Sequence, residues 1–213
     1  MGEAGVRPLL RLVLGVVALF AILAAVAVTL PQQVHVARSV VINAPEGAIF
    51  PYLNDLHKTA VWLPWAQRDR DLSVGYSGAE KGEGAHVEWY SEEPSIGAGS
   101  MDITKSEAPQ RVDYNVDYGG LEGTSYLLVT PSGSGSKVTW GFGYEPGNNL
   151  FKRWKGLMLD RLVGTDYQAG LAALKHIVER ERAPEDSVTP TPAAPPPAAP
   201  AEAAPAEQDV PKQ

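Results

Sequence analysis

The chain has 213 residues, no cysteine and a formal net charge of −7. Without cysteine it has no disulfide, thiolate nucleophile or sulfur-ligated metal. Its acidic balance includes no basic patch of the kind a nucleic-acid partner requires, so that class of partner is excluded.

An uncharged run, LVLGVVALFAILAAVAVTL, extends from Leu12 to Leu30, close to the ~20 residues that a helix needs to cross a hydrocarbon core. It is expected to be a transmembrane helix over about residues 9–30. Arg7 and Arg11 precede it, and the next basic side chain after Pro31 is Arg38. That bias keeps the N-terminus in the cytoplasm and places the rest of the chain in the periplasm or outside the cell, on a single-pass tether in the inner (cytoplasmic) membrane. The alternative is a secreted protein cleaved near Ala27, with Ala25-Val26-Ala27 as the small-residue site. The anchor is preferred because a signal peptide uses an apolar stretch of only ~7–15 residues. Both readings export the domain.

From Ala183 onward alanine and proline dominate (TPTPAAPPPAAPAEAAPAEQ) and no aromatic residue is present to build a core, so residues 183–213 read as a disordered tail. Three segments result: residues 1–31 with the membrane helix, a domain over 32–182, and the tail. They carry formal charges of +1, −4 and −4 respectively.

Within the domain, VHVARSVVI (Val34 to Ile42) reads as a strand with Val34, Val36, Val40 and Ile42 on one face, interrupted by Arg38. Asn43-Ala44-Pro45-Glu46 signals a short helix that Pro51 limits. A second short helix is expected from His57 to Leu63, stopping before Pro64, with Trp62 and Trp65 flanking the stop. Five or six strands follow, separated at Ser77-Gly78, Glu92-Glu93-Pro94, Ala108-Pro109, Gly119-Gly120 and PSGSGS (Pro131 to Ser136), a pattern that predicts an antiparallel meander. Val112, Tyr114, Val116 and Tyr118 alternate with polar residues, as do Val138, Trp140, Phe142 and Tyr144 with small or polar ones. Val87 with Trp89, Met101 with Ile103, and Tyr126 with Leu128 are expected on the same inner face.

A helix from Asn148 to Val163 with Phe151, Trp154, Met158 and Leu162 on its stripe, a break at Gly164-Thr165, and a second helical segment carrying Tyr167, Leu171, Leu174 and Val178 complete the chain. Gly170 would allow this long helix to lie close on the aromatic face of the sheet.

The residues RSVVINAP (Arg38 to Pro45), FPYLNDLHKTAVWLPWAQRD (Phe50 to Asp69), VEWY around Trp89 and GLMLDRLVGTDYQAGLAALKHIVE (Gly156 to Glu179) resemble the START/Bet v 1-like superfamily, in particular its polyketide cyclase/dehydrase-like SRPBCC proteins. The likeness spans nearly all of 34–181. It implies an α+β helix-grip fold, a curved antiparallel sheet wrapped on a long C-terminal helix, with an apolar cavity between the two. The superfamily covers lipid carriers, cyclases and quinone-binding chaperones, so it specifies fold better than function.

Candidates for lining that cavity are Arg38, Trp62, Trp65, Trp89, Met101 and Tyr114, together with Tyr126, Trp140, Tyr144, Met158 and Tyr167. An inward Arg38 would offer a carboxylate or phosphate a fixed fork of donors, and Tyr114, Tyr126, Tyr144 or Tyr167 a phenol for a ligand carbonyl. The four histidines, His35, His57, His86 and His176, have no metal-binding spacing, and neither GSGSK (Gly133 to Lys137) nor GAEKGEG (Gly78 to Gly84) has the context of a nucleophile elbow or phosphate loop. No metal site, cofactor or catalytic constellation is read from the sequence. The expected partner is a hydrophobic or amphipathic small molecule, lipid-, isoprenoid- or polyketide-like, bound without being transformed. Two alternatives stand beside it: a cyclase or dehydratase working through tyrosine, Arg38 or Glu88, and an envelope module meeting a protein partner through its tail.

Overall fold

A computed structural model describes residues 6–186. The expected Pro/Ala tail lies almost wholly outside the described residues. Helix α1 (Val6–Thr29) is long and apolar enough to cross a membrane, and almost none of that apolar span is buried in the protein. Four residues connect it to the first strand, β1 (Val34–Ile42).

Four short helices follow: α2 (Glu46–Ile49), α3 (Pro51–Asn54), α4 (Leu56–Ala60) and α5 (Pro64–Arg68). Asp55 caps α4 by accepting from the backbone N–H of His57 at 3.0 Å and of Lys58 at 3.4 Å. Pro64 starts a helix here as well as ending the region before it, because a residue without an N–H is tolerated in a helix's first turn. The helix expected over 57–63 is α4, which ends at Ala60; Trp62 lies in the turn that follows, before Pro64 opens α5.

The meander forms as β2 (Ser73–Gly78), β3 (Ala85–Tyr90), β4 (Ala98–Glu107), β5 (Arg111–Tyr118), β6 (Glu122–Ser132) and β7 (Gly135–Tyr144). With β1 they make one seven-stranded sheet in the order β1-β7-β6-β5-β4-β3-β2, every neighbour antiparallel. Helices α6 (Leu150–Gly156) and α7 (Leu159–Asp186) come last, and α7 crosses the concave face. This is the helix-grip arrangement.

The break between the last helices falls at Leu157-Met158, not at Gly164-Thr165. Gly164 lies inside α7, where a Cβ would come within 2.3 Å of the Arg38 guanidinium, so its small size serves passage of that side chain and not a turn. Gly170 does serve close approach: a Cβ there would stand 2.9 Å from the Trp140 ring. At this crossing the Tyr167 and Trp140 rings stack with centroids 3.7 Å apart.

One strand is turned over relative to expectation. In β6 the buried residues are Ser125, Leu127 and Val129, and Tyr126 and Leu128 face outward. The run SYLLV is apolar at both parities, so alternation could not decide; pairing with β7 did, by setting Leu127 opposite Trp140 and Val129 opposite Val138. Outward, the Tyr126 ring covers Gly141, whose Cβ would lie 2.2 Å from it, and takes the Arg111 guanidinium at 5.1 Å from its centroid.

Register also defines two ends of the sheet. Val34 pairs with Tyr144, Gly143 with Thr124, Asp117 with Glu122, Gly99 with Tyr118, and Ala98 with Tyr90. The exit of α1, the β5–β6 turn and the β3–β4 loop therefore share one end. The β6–β7 hairpin and the β4–β5 turn share the other.

Candidate functional site

The aromatic side chains divide into those that plug the fold and those that border open space. Trp62 is fully buried, donates its indole N–H to the Tyr52 carbonyl at 2.9 Å and meets Trp140 edge-on at 5.1 Å between centroids. Tyr114 donates to the Leu53 carbonyl at 2.6 Å, and burial pushes its pKa far above the ordinary phenol value. Tyr144 donates to the Lys152 carbonyl at 3.5 Å. Trp62, Tyr114 and Tyr144 thus tie the short helices and α6 to the sheet. A pocket of only about 20 Å³, room for roughly one water, lies between α4, α5 and strands β2 to β4, beside Leu63 and Met101.

A larger space bordered by several aromatic rings lies at the end of the grip from which α1 leaves. A cleft of about 460 Å³ opens there between α5, the β3–β4 loop, the β5–β6 turn and the first turns of α7. Trp65, Trp89, Tyr118, Leu121, Leu162 and Tyr167 line it, and Arg68 pairs with Asp166 across its rim at 2.9 Å. Trp65 and Trp89, 5.8 Å apart between centroids, also border the small pocket and so stand between the two spaces. The volume falls within the ~300–1,000 Å³ typical of small-molecule sites.

The polar floor of the cleft is a buried network. Ser125 donates to the Gly141 carbonyl at 2.9 Å, receives the Trp140 indole N–H at 3.0 Å, and lies 3.3 Å from the Tyr167 hydroxyl. Burial raises the Tyr167 pKa to about 12, against the lowering effect of its bonds to Ser125, Tyr118 and Trp140. Tyr118 is raised well above its ordinary value, first by burial and then by neighbouring Tyr167. Both phenols stay protonated at neutral pH, and the Tyr167 hydroxyl is held inside this buried network.

Of the sequence candidates, the fold brings Trp65, Trp89 and Tyr167 together at the cleft and buries Trp62, Met101, Tyr114, Trp140 and Tyr144 in the packed interior. Arg38 does sit on the inner face, but on an edge strand, and passes beneath α7 at Gly164 to pair with Asp160 at 2.8 Å. It does not reach the cleft. Tyr126 faces outward, as described, and Glu88 is exposed on the outer face of β3. Met158 is 58 % exposed, as are its stripe-mates Phe151 and Leu162 at 72 % and 58 %. The buried face of α6 and the start of α7 instead carries Arg153, Gly156, Leu159 and Val163. Tyr118 was not among the candidates, although the alternation of β5 placed it on the inner face beside Tyr114; the missing information was that β5 ends at the cleft.

Among the described residues no group of three or more His, Asp or Glu side chains could hold a metal ion. His86 and Asp102 meet at 2.6 Å across β3 and β4 on the outer face, away from the cleft.

Comparisons with known proteins agree with this architecture. No curated protein sequence matches the chain. Among solved structures, a protein from Rhodobacter sphaeroides is similar with a TM-score of 0.52 at 14% identity, over 69% of this chain and 93% of that one. Protein Ms6760 from Mycobacterium smegmatis gives 0.50 at 14% identity, over 70% and 92%. The KanY protein, solved in solution, gives 0.50 at 18% identity, over 70% and 99%. At such identities the likeness shows the fold alone. The sequence itself is more specific: residues 33–179 match the family described as polyketide cyclase/dehydrase and lipid transport, and the chain belongs to that family.

Proposed function

We propose that this protein is a membrane-tethered ligand-binding domain that holds a hydrophobic or amphipathic small molecule, lipid- or isoprenoid-like, in the cleft at the α1 end of the grip, without transforming it. The observation that carries the reading is the character of the cleft: an aromatic wall, a floor of two protonated phenols, and an Arg68–Asp166 pair whose charges already satisfy one another. Such a lining favours apolar surface with one hydrogen-bonding head group, and its one carboxylate, Asp166, is engaged by Arg68. Helix α1 supports the tether, with the cytoplasmic N-terminus that Arg7 and Arg11 favour.

Purification of the full chain from membranes, followed by mass spectrometry of co-purifying lipids, tests the ligand. Titration with the recovered species should quench tryptophan emission, because Trp65 and Trp89 border the cleft. A preparation that retains no lipid and shows no fluorescence response to long-chain lipids overturns the reading. Alkaline extraction tests the tether: the chain should stay in the membrane pellet, and release to the supernatant points to a cleaved, secreted form.

A second reading, a cyclase or dehydratase, is supported by one observation, the two neutral tyrosines Tyr118 and Tyr167 beside the cleft, a residue type able to polarise a ligand ketone. It requires turnover of a poly-β-ketone substrate that Tyr167→Phe abolishes. Binding without turnover leaves the first reading alone.

A further inference from the structure

Helix α6 and the start of α7 read LFKRWKGLMLDRL and turn four large apolar side chains outward. Phe151, Leu157, Met158 and Leu162 are exposed by 72, 55, 58 and 58 %. Outside the membrane helix this is the densest cluster of exposed large apolar residues in the described chain. Lys152, Lys155 and Arg161 are interleaved with it and exposed, and Lys155 lies 5.6 Å from the centroid of the Phe151 ring. The one acid in the stretch, Asp160, is engaged by Arg38. In a protein with a net charge of −7 this is a locally basic and apolar surface.

Its position is fastened. Arg153, on the opposite, buried face of α6, donates to the α1-end carbonyls of Ala27 at 3.3 Å, Val28 at 2.9 Å and Leu30 at 3.4 Å, and to Gly147 at 2.8 Å. A cation there satisfies the orphan carbonyls of α1 and meets the negative end of its dipole. The same guanidinium therefore locks α6 to the point where α1 ends, with four residues of slack before β1. The cleft opens at this end of the sheet, and Leu162 belongs both to its lining and to the exposed apolar cluster.

We infer that the α6–α7 corner is a bilayer-docking surface, which seats its apolar side chains in the interface beside α1, pairs Lys152 and Lys155 with anionic lipid headgroups, and turns the cleft mouth toward the membrane. The occupant is the leaflet from which α1 emerges. Interfacial segments of this composition bury their apolar face ~5–10 Å into the headgroup boundary and draw on anionic lipid through lysine and arginine. Ligand would then pass between bilayer and cleft without crossing bulk water. This inference rests on the tether proposed above.

The absence of cysteine makes the test direct. Full-length Met158→Cys and, at the opposite hairpin, Ser134→Cys are labelled with an environment-sensitive fluorophore and reconstituted into phosphatidylcholine vesicles with or without phosphatidylglycerol. The 158 label should shift to the blue and be quenched by shallow spin-labelled lipid about twofold or more above the 134 label, more strongly with phosphatidylglycerol. Adding Lys152→Glu and Lys155→Glu should erase the dependence on phosphatidylglycerol while the chain still co-floats with the vesicles. A 158 label as water-exposed as the 134 label, in a chain that co-floats, overturns the docking surface and leaves the tether standing. A chain that does not co-float overturns the tether and the docking surface with it.

Discussion

The two ends of the grip use aromatic residues in opposite ways. At the hairpin end the short helices close the sheet, and Trp62 and Tyr114 spend their polar atoms on the backbone carbonyls of Tyr52 and Leu53. At the α1 end Trp65, Trp89, Tyr118 and Tyr167 line open space, and the buried network of Ser125, Trp140 and Tyr167 lies behind them. The contrast teaches that aromatic content alone does not mark a binding site; what distinguishes plug from lining is whether an element's end is covered. A buried tryptophan whose N–H is already donated contributes stability, whereas one on a cleft wall offers area that a ligand can still cover.

That comparison can be broken most severely at the plug. Trp62→Ala removes a fully buried indole and its hydrogen bond, and should cost about 3–5 kcal/mol in chemical denaturation of the full chain in detergent. A loss no larger than that of Trp65→Ala would mean that the two ends are not energetically distinct.

Alkaline titration sharpens it next, at the floor of the cleft. The phenol of Tyr167 has a pKa of 10.0 when unfolded and about 12 when folded. Below 10 both states hold the proton and stability is unaffected; as pH rises from 10 to 12 the unfolded state alone releases it, and stability falls. Tyr167 should contribute on the order of 2 kcal/mol to that fall. Tyr167→Phe should flatten the slope of melting temperature against pH in this window, and an unchanged slope would exclude Tyr167 as a source.

The smallest effects separate two glycines of α7. Gly170→Ala drives a Cβ to 2.9 Å from the enclosed Trp140 ring and should cost on the order of 1 kcal/mol after the gain in helix propensity. Gly164→Ala meets only the mobile end of Arg38, at 2.3 Å, so the side chain swings away, its half-exposed pair with Asp160 is lost, and stability changes by no more than ~0.5 kcal/mol. Equal effects at both positions would show that α7 is not held more tightly over Trp140 than at its start.

Legibility followed local periodicity. The inner faces of β5 and β7 were readable because polar or small residues occupy every second position between Val112 and Tyr118 and between Val138 and Tyr144. β6 was not, since Tyr126, Leu127, Leu128 and Val129 are all apolar and a one-residue change in register exchanges the two faces. The stripe of Phe151, Met158 and Leu162 was also visible as a stripe, but a helical period identifies a common face without saying what that face meets. The buried contact went to Arg153 and Gly156, residues that a search for apolar core positions passes over. Trp65, Trp89 and Tyr167 were named from sequence, and the cleft they share was not, because it is made of ends of elements far apart in the chain.

The sequence by itself determined the long apolar helix, the strand-and-meander order, the aromatic inner face and the final helix over it, since each depends on composition and spacing within a dozen or so residues. Only the tertiary structure decided which aromatic residues plug and which line, the register of β6, the path of Arg38 to Asp160 and the clasp of Arg153 on the end of α1. Those outcomes depend on pairings between segments up to more than a hundred positions apart, as from Arg38 to Asp160 and from Ala27 to Arg153, where the competition between packing and hydrogen bonding is settled by geometry that no local pattern carries.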